Sequence, residues 1–253
     1  MFSTLMYHEI RKKDEFNPEH PYHIEVKQGY EDILPSPLFV TLEHFQEQMT
    51  YLYEQQYHTL TLEEVKEYFL QKKAIPEKSV LLTFDDCFQS VKKYAYPILK
   101  KFQFHATAFV VSNWLLDAPK AFRPEKSVCM AAEELSDIAD VFEFANHTHS
   151  FHRRTSQTES MLMTAKDEEI SKDLDRCNEN PDIHHKDVFA YPFGLYIESN
   201  LSLLRKKGFQ LAFTSQPGFN DEDTNPLLLK RNAVPYFLDL EAFQNIIGSN
   251  NRF

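Results

Sequence analysis

The run Val80-Leu81-Leu82-Thr83-Phe84 shows no alternation of polar and apolar residues, so as a strand it must be covered on both faces. That is the position of a strand inside a parallel sheet, where each strand is joined to the next by a crossover helix. Matching helices are legible. Leu42, Phe45, Met49 and Leu52 fall on one face of a helix between Thr41 and Gln55. Leu62, Val65 and Phe69 fall on one face of a second, which opens with the capping-box spacing of Thr61 and Glu64 and ends at Ile75-Pro76. Beyond the run, Val91, Tyr94, Ala95, Ile98, Leu99 and Phe102 make another helical stripe, and Ala106 to Val111 returns as a strand, completing a βαβ unit. The alternation continues with helical segments at 133–139, 165–177, 200–207 and 237–247 and extended ones at 142–145, 188–191 and 211–214. The pattern predicts an α/β chain with a parallel sheet, open or closed into a barrel, forming one domain over residues 1–253. Arg11 to Pro37 has no sustained period and carries Pro18, Pro21, Pro35 and Pro37, so it is expected to be a long loop.

Polar clusters stand where such folds place their chemistry, after the C-terminal ends of strands. Asp85-Asp86 follows the Val80 run, Asn146-His147-Thr148-His149-Ser150-Phe151-His152 follows the Phe142 strand, and Tyr191-Pro192-Phe193-Gly194 follows the Val188 strand. Two adjacent carboxylates at the end of a buried strand repel each other unless a cation or a shared proton relieves them. A metal is the simplest relief: one Asp and two His suit Zn²⁺ or a similar divalent ion, and the other Asp is free to take a proton from water. The same two-His, one-carboxylate set also describes a non-haem iron oxygenase, in which the neighbouring Asp has no task.

These segments resemble the polysaccharide deacetylases of carbohydrate esterase family 4. Thr83-Phe84-Asp85-Asp86 is similar to the family's first motif, the histidine segment to its second and Tyr191-Pro192-Phe193-Gly194 to its third, and the likeness runs from about residue 5 to residue 235. The resemblance implies a distorted (β/α) barrel with fewer than eight strands. It implies Asp85 as catalytic base, Asp86, His147 and His152 as metal ligands, and Tyr191, Pro192 and Phe193 on the substrate, with a backbone N–H near Phe193 facing the developing oxyanion. Arg231, beside Asn232-Ala233-Val234-Pro235, resembles the later-motif Arg that orients the base. The implied activity is metal-assisted removal of acetyl groups from an N-acetylglucosamine-containing saccharide, with acetyl-ester hydrolysis or sugar binding without catalysis as alternatives. Zinc is the expected ion, with cobalt or nickel possible.

The chain departs from the family in three places. Its two histidines are five residues apart rather than four, because Phe151 stands where the second usually lies; this is similar to the branch acting on β-1,6-linked poly-N-acetylglucosamine. His149 is the alternative ligand, although from an extended loop it would point away from His147. Cys87 stands where the family usually has Gly, and reads as a small buried residue. No histidine follows His185, so the family's late Leu-x-His acid is missing, and His8, after the short strand Thr4-Leu5-Met6-Tyr7, is expected to protonate the leaving amine. Trp114 and Phe151 are expected near the cleft.

With 27 Lys and Arg against 38 Asp and Glu, a net charge of −11 and no basic tract, nucleic acid is excluded as a partner. No apolar window spans a membrane, and no obligate protein partner is evident. The amino terminus lacks a secretory signal, and Cys87, Cys129 and Cys177 form no C-x-x-C pair, which together predict a cytoplasmic chain as given, or a cell-surface or extracellular one if a leader preceded it.

Overall fold

In the computed structural model, which describes residues 1–248, the parallel sheet is wound in sequence order. Its strands are β1 (Phe2–Tyr7), β2 (Ser79–Asp85), β3 (Ala106–Val110), β4 (Phe142–Asn146), β5 (His185–Ala190) and β6 (Leu211–Phe213). Each pairs in parallel with the next. β7 (Phe219–Asn220) adds to β1 in the antiparallel sense, giving a hydrogen-bonded path of seven strands. The two-residue strands β8 (Asn232–Ala233) and His58–Thr59 lie off that path. β8 pairs with β1 at Leu5 while Leu229 bridges Phe213 on β6, so the segment 229–233 spans the gap between the first and last parallel strands and curls the sheet into a distorted barrel. The last five residues of the expected 1–253 domain lie outside the described residues.

The helices between strands form where the apolar stripes demand. In α1 (Leu42–Glu54) Thr41 accepts the His44 N–H, and Phe45, Met49 and Leu52 are buried. In α2 (Leu62–Gln71) Thr61 and Glu64 complete the capping box, and the helix stops at Lys72, which takes a left-handed conformation before Ile75-Pro76 is reached. The stripe from Val91 opens as a π-helix over Val91–Ala95 and becomes α-helical in α3 (Tyr96–Phe102). Pro97 has no N–H to give the carbonyl four residues earlier, which accounts for the widened turn before it. α4 (Asp167–Asn178), α5 (Glu198–Lys206) and α6 (Leu240–Ile246) follow. Segment 133–139 is not one helix but two 3₁₀ turns, Ala132–Glu134 and Ser136–Ile138, because the short path from the bridge at Ala131 to β4 leaves room only for tight turns. None of the described helices is long and apolar enough to cross a membrane.

The expected loop from Arg11 to Pro37 is built differently. Glu9–Arg11 pairs with Phe39–Thr41, and Tyr22–Glu25 pairs with both Ile33–Leu34 and the distant Lys126–Val128. What holds this segment is a buried ion pair. Arg11 Nη1 and Nη2 donate to the two oxygens of Glu9 at 2.5 and 2.9 Å, Nε donates to Pro124 O at 2.9 Å, and the guanidinium lies 5.2 to 5.8 Å from the rings of Phe122, Phe39 and Tyr22. Periodicity cannot register such a segment, because Arg11 ties it through Pro124 O and Lys126 O to chain more than a hundred residues away.

At the opposite end of the sheet Glu143, the second residue of β4, accepts the Leu62 N–H at 2.5 Å and the Thr107 hydroxyl at 3.1 Å, with His185 Nε2 at 2.8 Å and His105 Nε2 at 3.3 Å. Burial opposes its charge, but the two imidazoles outweigh burial and lower its pKa to about 2.

Two outcomes follow from these pairs. Arg11→Ala leaves Glu9 buried without a partner and should destabilise the fold by about 3–5 kcal/mol in urea titration. A Glu143 pKa lowered from 4.5 to about 2 gives stability that is complete above pH 4.5 and lost as pH falls through 2. Glu143→Gln should therefore flatten the stability-against-pH curve between those limits, measured by denaturant midpoints at each pH.

Candidate active site

β2 delivers Asp85 at its last position, and the chain then turns sharply: Asp86 has φ +71° and Cys87 φ +55°. Left-handed backbone at non-glycine residues costs about 1–3 kcal/mol each, so the surroundings have to hold it. Asp86 N–H donates to Phe109 O on β3 at 3.1 Å, which fixes the turn. The reversal sends two neighbouring carboxylates toward different partners. Cys87 is fully buried, and burial pushes its thiol pKa well up, so it stays protonated and packs as a small apolar residue.

Asp85 is held by Arg231. Nη1 and Nη2 donate to Oδ1 and Oδ2 at 2.6 and 2.9 Å, while Nε donates to Thr214 O at 2.8 Å. Both side chains are buried. Burial alone would raise the Asp85 pKa, but the guanidinium, with smaller help from His147 and His8, holds it well below the usual carboxylate range. His8, just past β1, places Nε2 3.7 Å from Asp85 Oδ2. Burial lowers its pKa to about 4 against the pull of Asp85.

Asp86 meets the histidine segment that follows β4. His147 Nε2 and His152 Nε2 lie 3.7 and 3.5 Å from Asp86 Oδ1. His147 Nδ1 lies 2.8 Å from Ala190 O, an acceptor, so Nδ1 carries the hydrogen and Nε2 presents its lone pair. The ligand atoms of Asp86, His147 and His152 all lie within 4.8 Å of one another, and Asp86 Oδ1 is buried with no hydrogen-bond partner. Ligands about 2.1 Å from a tetrahedral ion stand about 3.4 Å apart, close to the separations from Asp86. Burial, then the Asp85 charge, push the Asp86 pKa well above its ordinary value, and a divalent cation at this point relieves both. The residues fit a divalent metal ion.

His149 lies outside this group: its Nδ1 is 2.8 Å from the Ser112 hydroxyl. The segment is folded around side chains instead. Thr148 has φ +78° and gives its N–H to Asn146 Oδ1, while the His149 and Ser150 N–H groups go to the two oxygens of Asp173 on α4, all at 2.8 Å.

These residues line a cavity of about 460 Å³ that brings together His8, Asp85, Asp86, His147, His152 and Arg231. Of the three residues expected on the substrate, only Phe193 reaches it. Tyr191 is fully buried with its hydroxyl on Leu227 O, and Pro192 is buried behind the turn. The reason is the turn itself: Phe193 has φ +60° and Gly194 φ +69°, and a Cβ at Gly194 would meet Ser215 Oγ at 1.9 Å. Trp114 lines the cavity and packs edge-on against His152, whereas Phe151 packs with the Leu162–Leu174 cluster. Sequence reasoning missed the opposite wall, formed by Ile24, Tyr30, Leu34 and Pro35 of the supposed loop, where Tyr30 stacks on Trp114. It also missed Asp173. A signal for Asp173 existed, since Ile170, Asp173, Leu174 and Cys177 form one buried helical face with a carboxylate in it.

The sequence model of the polysaccharide deacetylase family matches residues 72–212, more than half of the chain. A poly-β-1,6-N-acetyl-D-glucosamine N-deacetylase of Staphylococcus epidermidis is 28% identical over 250 residues, covering 96% of this chain and 81% of the relative. Its namesake from Staphylococcus aureus N315 is 27% identical over 213 residues, covering 82% and 70%. Among solved structures, Streptococcus pyogenes deacetylase PplD in complex with acetate superposes with a TM-score of 0.74 at 22% identity, covering 98% of both chains. IcaB from Ammonifex degensii gives 0.69 at 21%, covering 97% of this chain and 98% of that one. The solved structures share the curled barrel, the family match spans the strands that carry Asp85, Asp86 and the histidine segment, and the chain belongs to the polysaccharide deacetylase family.

Proposed function

We propose that this chain hydrolyses the acetamide of N-acetylglucosamine units in a poly- or oligosaccharide, with a divalent ion, zinc by preference, held by Asp86, His147 and His152. The observation that carries this reading is the unequal treatment of two adjacent carboxylates on one cavity. Asp85 is locked to Arg231, and Asp86 has a bare oxygen between two imidazoles. The family gives the reaction class, and the names of the staphylococcal relatives favour the β-1,6-linked sugar.

When bound, the ion supplies Lewis-acid polarisation of the acyl oxygen and makes water more acidic. The protein's own groups do the rest. Asp85 takes the proton of the attacking water, and Arg231 keeps the carboxylate ionised and fixes its direction through two hydrogen bonds. The Gly194 and Leu195 N–H groups are engaged within their turn, by Tyr191 O and Pro192 O, and the amide of Phe193, which lines the cavity, is the donor we assign to the oxyanion. His8, held neutral by burial, receives the proton from the neighbouring Asp85 and passes it to the leaving amine. One water is consumed, and acetate and the free amine are formed.

Acetate release from β-1,6-linked oligomers, chito-oligomers and acetylxylan, each with Zn²⁺, Co²⁺ or Ni²⁺, tests the assignment. Activity on none of the N-acetylated oligomers would remove it. Metal analysis should find about one divalent ion per chain, lost from His147→Ala and His152→Ala and retained by His149→Ala. Loss from His149→Ala alone would reverse the ligand assignment. Asp85→Asn should keep the ion and lower turnover by about 10²–10⁴. His8→Ala should lose most amide hydrolysis but far less hydrolysis of an activated acetyl ester, whose leaving group needs no proton. Equal losses on both substrates would take His8 out of the mechanism.

A further inference from the structure

The two histidines of the metal group are supported in different ways. His147 is tied to β5 through its hydrogen bond to Ala190 O at 2.8 Å. His152 has no such tie: its Nδ1 is buried and without a partner. Its ring is flanked by Phe193, Trp114 and His147 at centroid distances of 4.4, 4.6 and 4.8 Å. These contacts restrict the tilt of the ring but supply no directional bond. A metal-bound imidazole ordinarily donates its second nitrogen to an oxygen acceptor that aims it. For His152 the aim has to come from the backbone of residues 148–151.

That backbone is gripped from α4. Asp173, itself 7% exposed, accepts the His149 N–H on Oδ2 and the Ser150 N–H on Oδ1, both at 2.8 Å. Asn146 accepts the Thr148 N–H and is in turn anchored to α4, its Nδ2 donating to Leu174 O at 2.9 Å and to Asn178 Oδ1 at 2.8 Å. Three successive amides are thus fixed by side chains, two of them by one carboxylate. The five-residue spacing of His147 and His152 puts an extra residue in this segment compared with a four-residue spacing. In that segment the backbone takes φ +78° at Thr148 and then gives two amides to Asp173.

We infer that Asp173 is a positioning residue for the metal site, setting the His149-Ser150 backbone so that His152 Nε2 faces Asp86 Oδ1. Only a carboxylate serves both amides. Asn has one acceptor and turns an NH₂ donor toward the second N–H, which leaves that buried amide unpaired. Ser has a single oxygen on a shorter arm. The effect should fall on His152, since His147 keeps its own hydrogen bond.

This inference rests on the metal reading above, and Co²⁺ binding separates the two. Metal-free wild type, Asp173→Asn and a core truncation on another helix, Leu99→Ala, are titrated with Co²⁺. Visible d–d absorption reports ligand geometry, and thermal unfolding of the metal-free proteins reports stability. Asp173→Asn should weaken Co²⁺ binding by about 10–100-fold and change the band shape, whereas Leu99→Ala should bind as wild type despite its lower stability. Wild-type affinity and spectrum in Asp173→Asn would overturn the inference while leaving the metal reading intact, as would equal weakening in Leu99→Ala. No Co²⁺ uptake by wild type overturns both. If Asp173→Asn does not fold, Asp173→Ser takes its place, with the same outcomes deciding.

Discussion

Two carboxylates on consecutive residues at the end of a buried strand set the terms for the whole molecule. At contact distance and an effective dielectric near 20, like charges repel by roughly 4 kcal/mol, a large share of the about 5–15 kcal/mol that keeps a domain folded. The chain resolves this by separating the pair. The left-handed turn at Asp86 lets Asp85 meet Arg231 and lets Asp86 meet His147 and His152. Each partner comes from another sector of the barrel: His8 from the end of β1, the histidines from the segment after β4, Arg231 from the residue before β8. The parallel, sequentially wound sheet matters for function because it puts all those strand ends on one rim.

Backbone strain follows the same geography. Among the described residues seven non-glycines have positive φ; Gln56, Lys72 and Gln103 sit at the ends of α1, α2 and α3, where such a conformation commonly closes a helix. The other four are Asp86, Cys87, Thr148 and Phe193, on the three loops that meet at the cavity. Among the described residues, such strain away from helix ends therefore falls at the site and is held there by particular bonds: Phe109 O on Asp86 N–H, Asn146 on Thr148 N–H, and the fit of Gly194 against Ser215 around Phe193.

What could be seen in the sequence depended on the range of the interaction. The Val80 run, the stripes of α1 and α2 and the Thr61–Glu64 cap are local, and each became the element its pattern implies. The three polar clusters were visible as strand ends, although the side chains of Tyr191 and Pro192 turned inward, which only the geometry around Phe193 and Gly194 decides. Segment 11–37 was opaque because its order comes from Arg11, Glu9 and a strand pairing with Lys126–Val128, none of which leaves a period behind. That segment supplies a wall of the cavity, so much of what shapes the substrate's surroundings was hidden where the reading expected a loop.

The bond between Arg231 and Asp85 joins residues 146 positions apart. On a ribosome adding about 5–20 residues per second, Asp85 waits roughly 7–30 s before its counter-charge has been synthesised. Throughout that interval the nascent chain carries Asp85 without its guanidinium, and the edges of β1 and β6 lack the 229–233 segment that spans them. A chain that stops short of this point therefore carries Asp85, Asp86, His147 and His152 with the barrel still open.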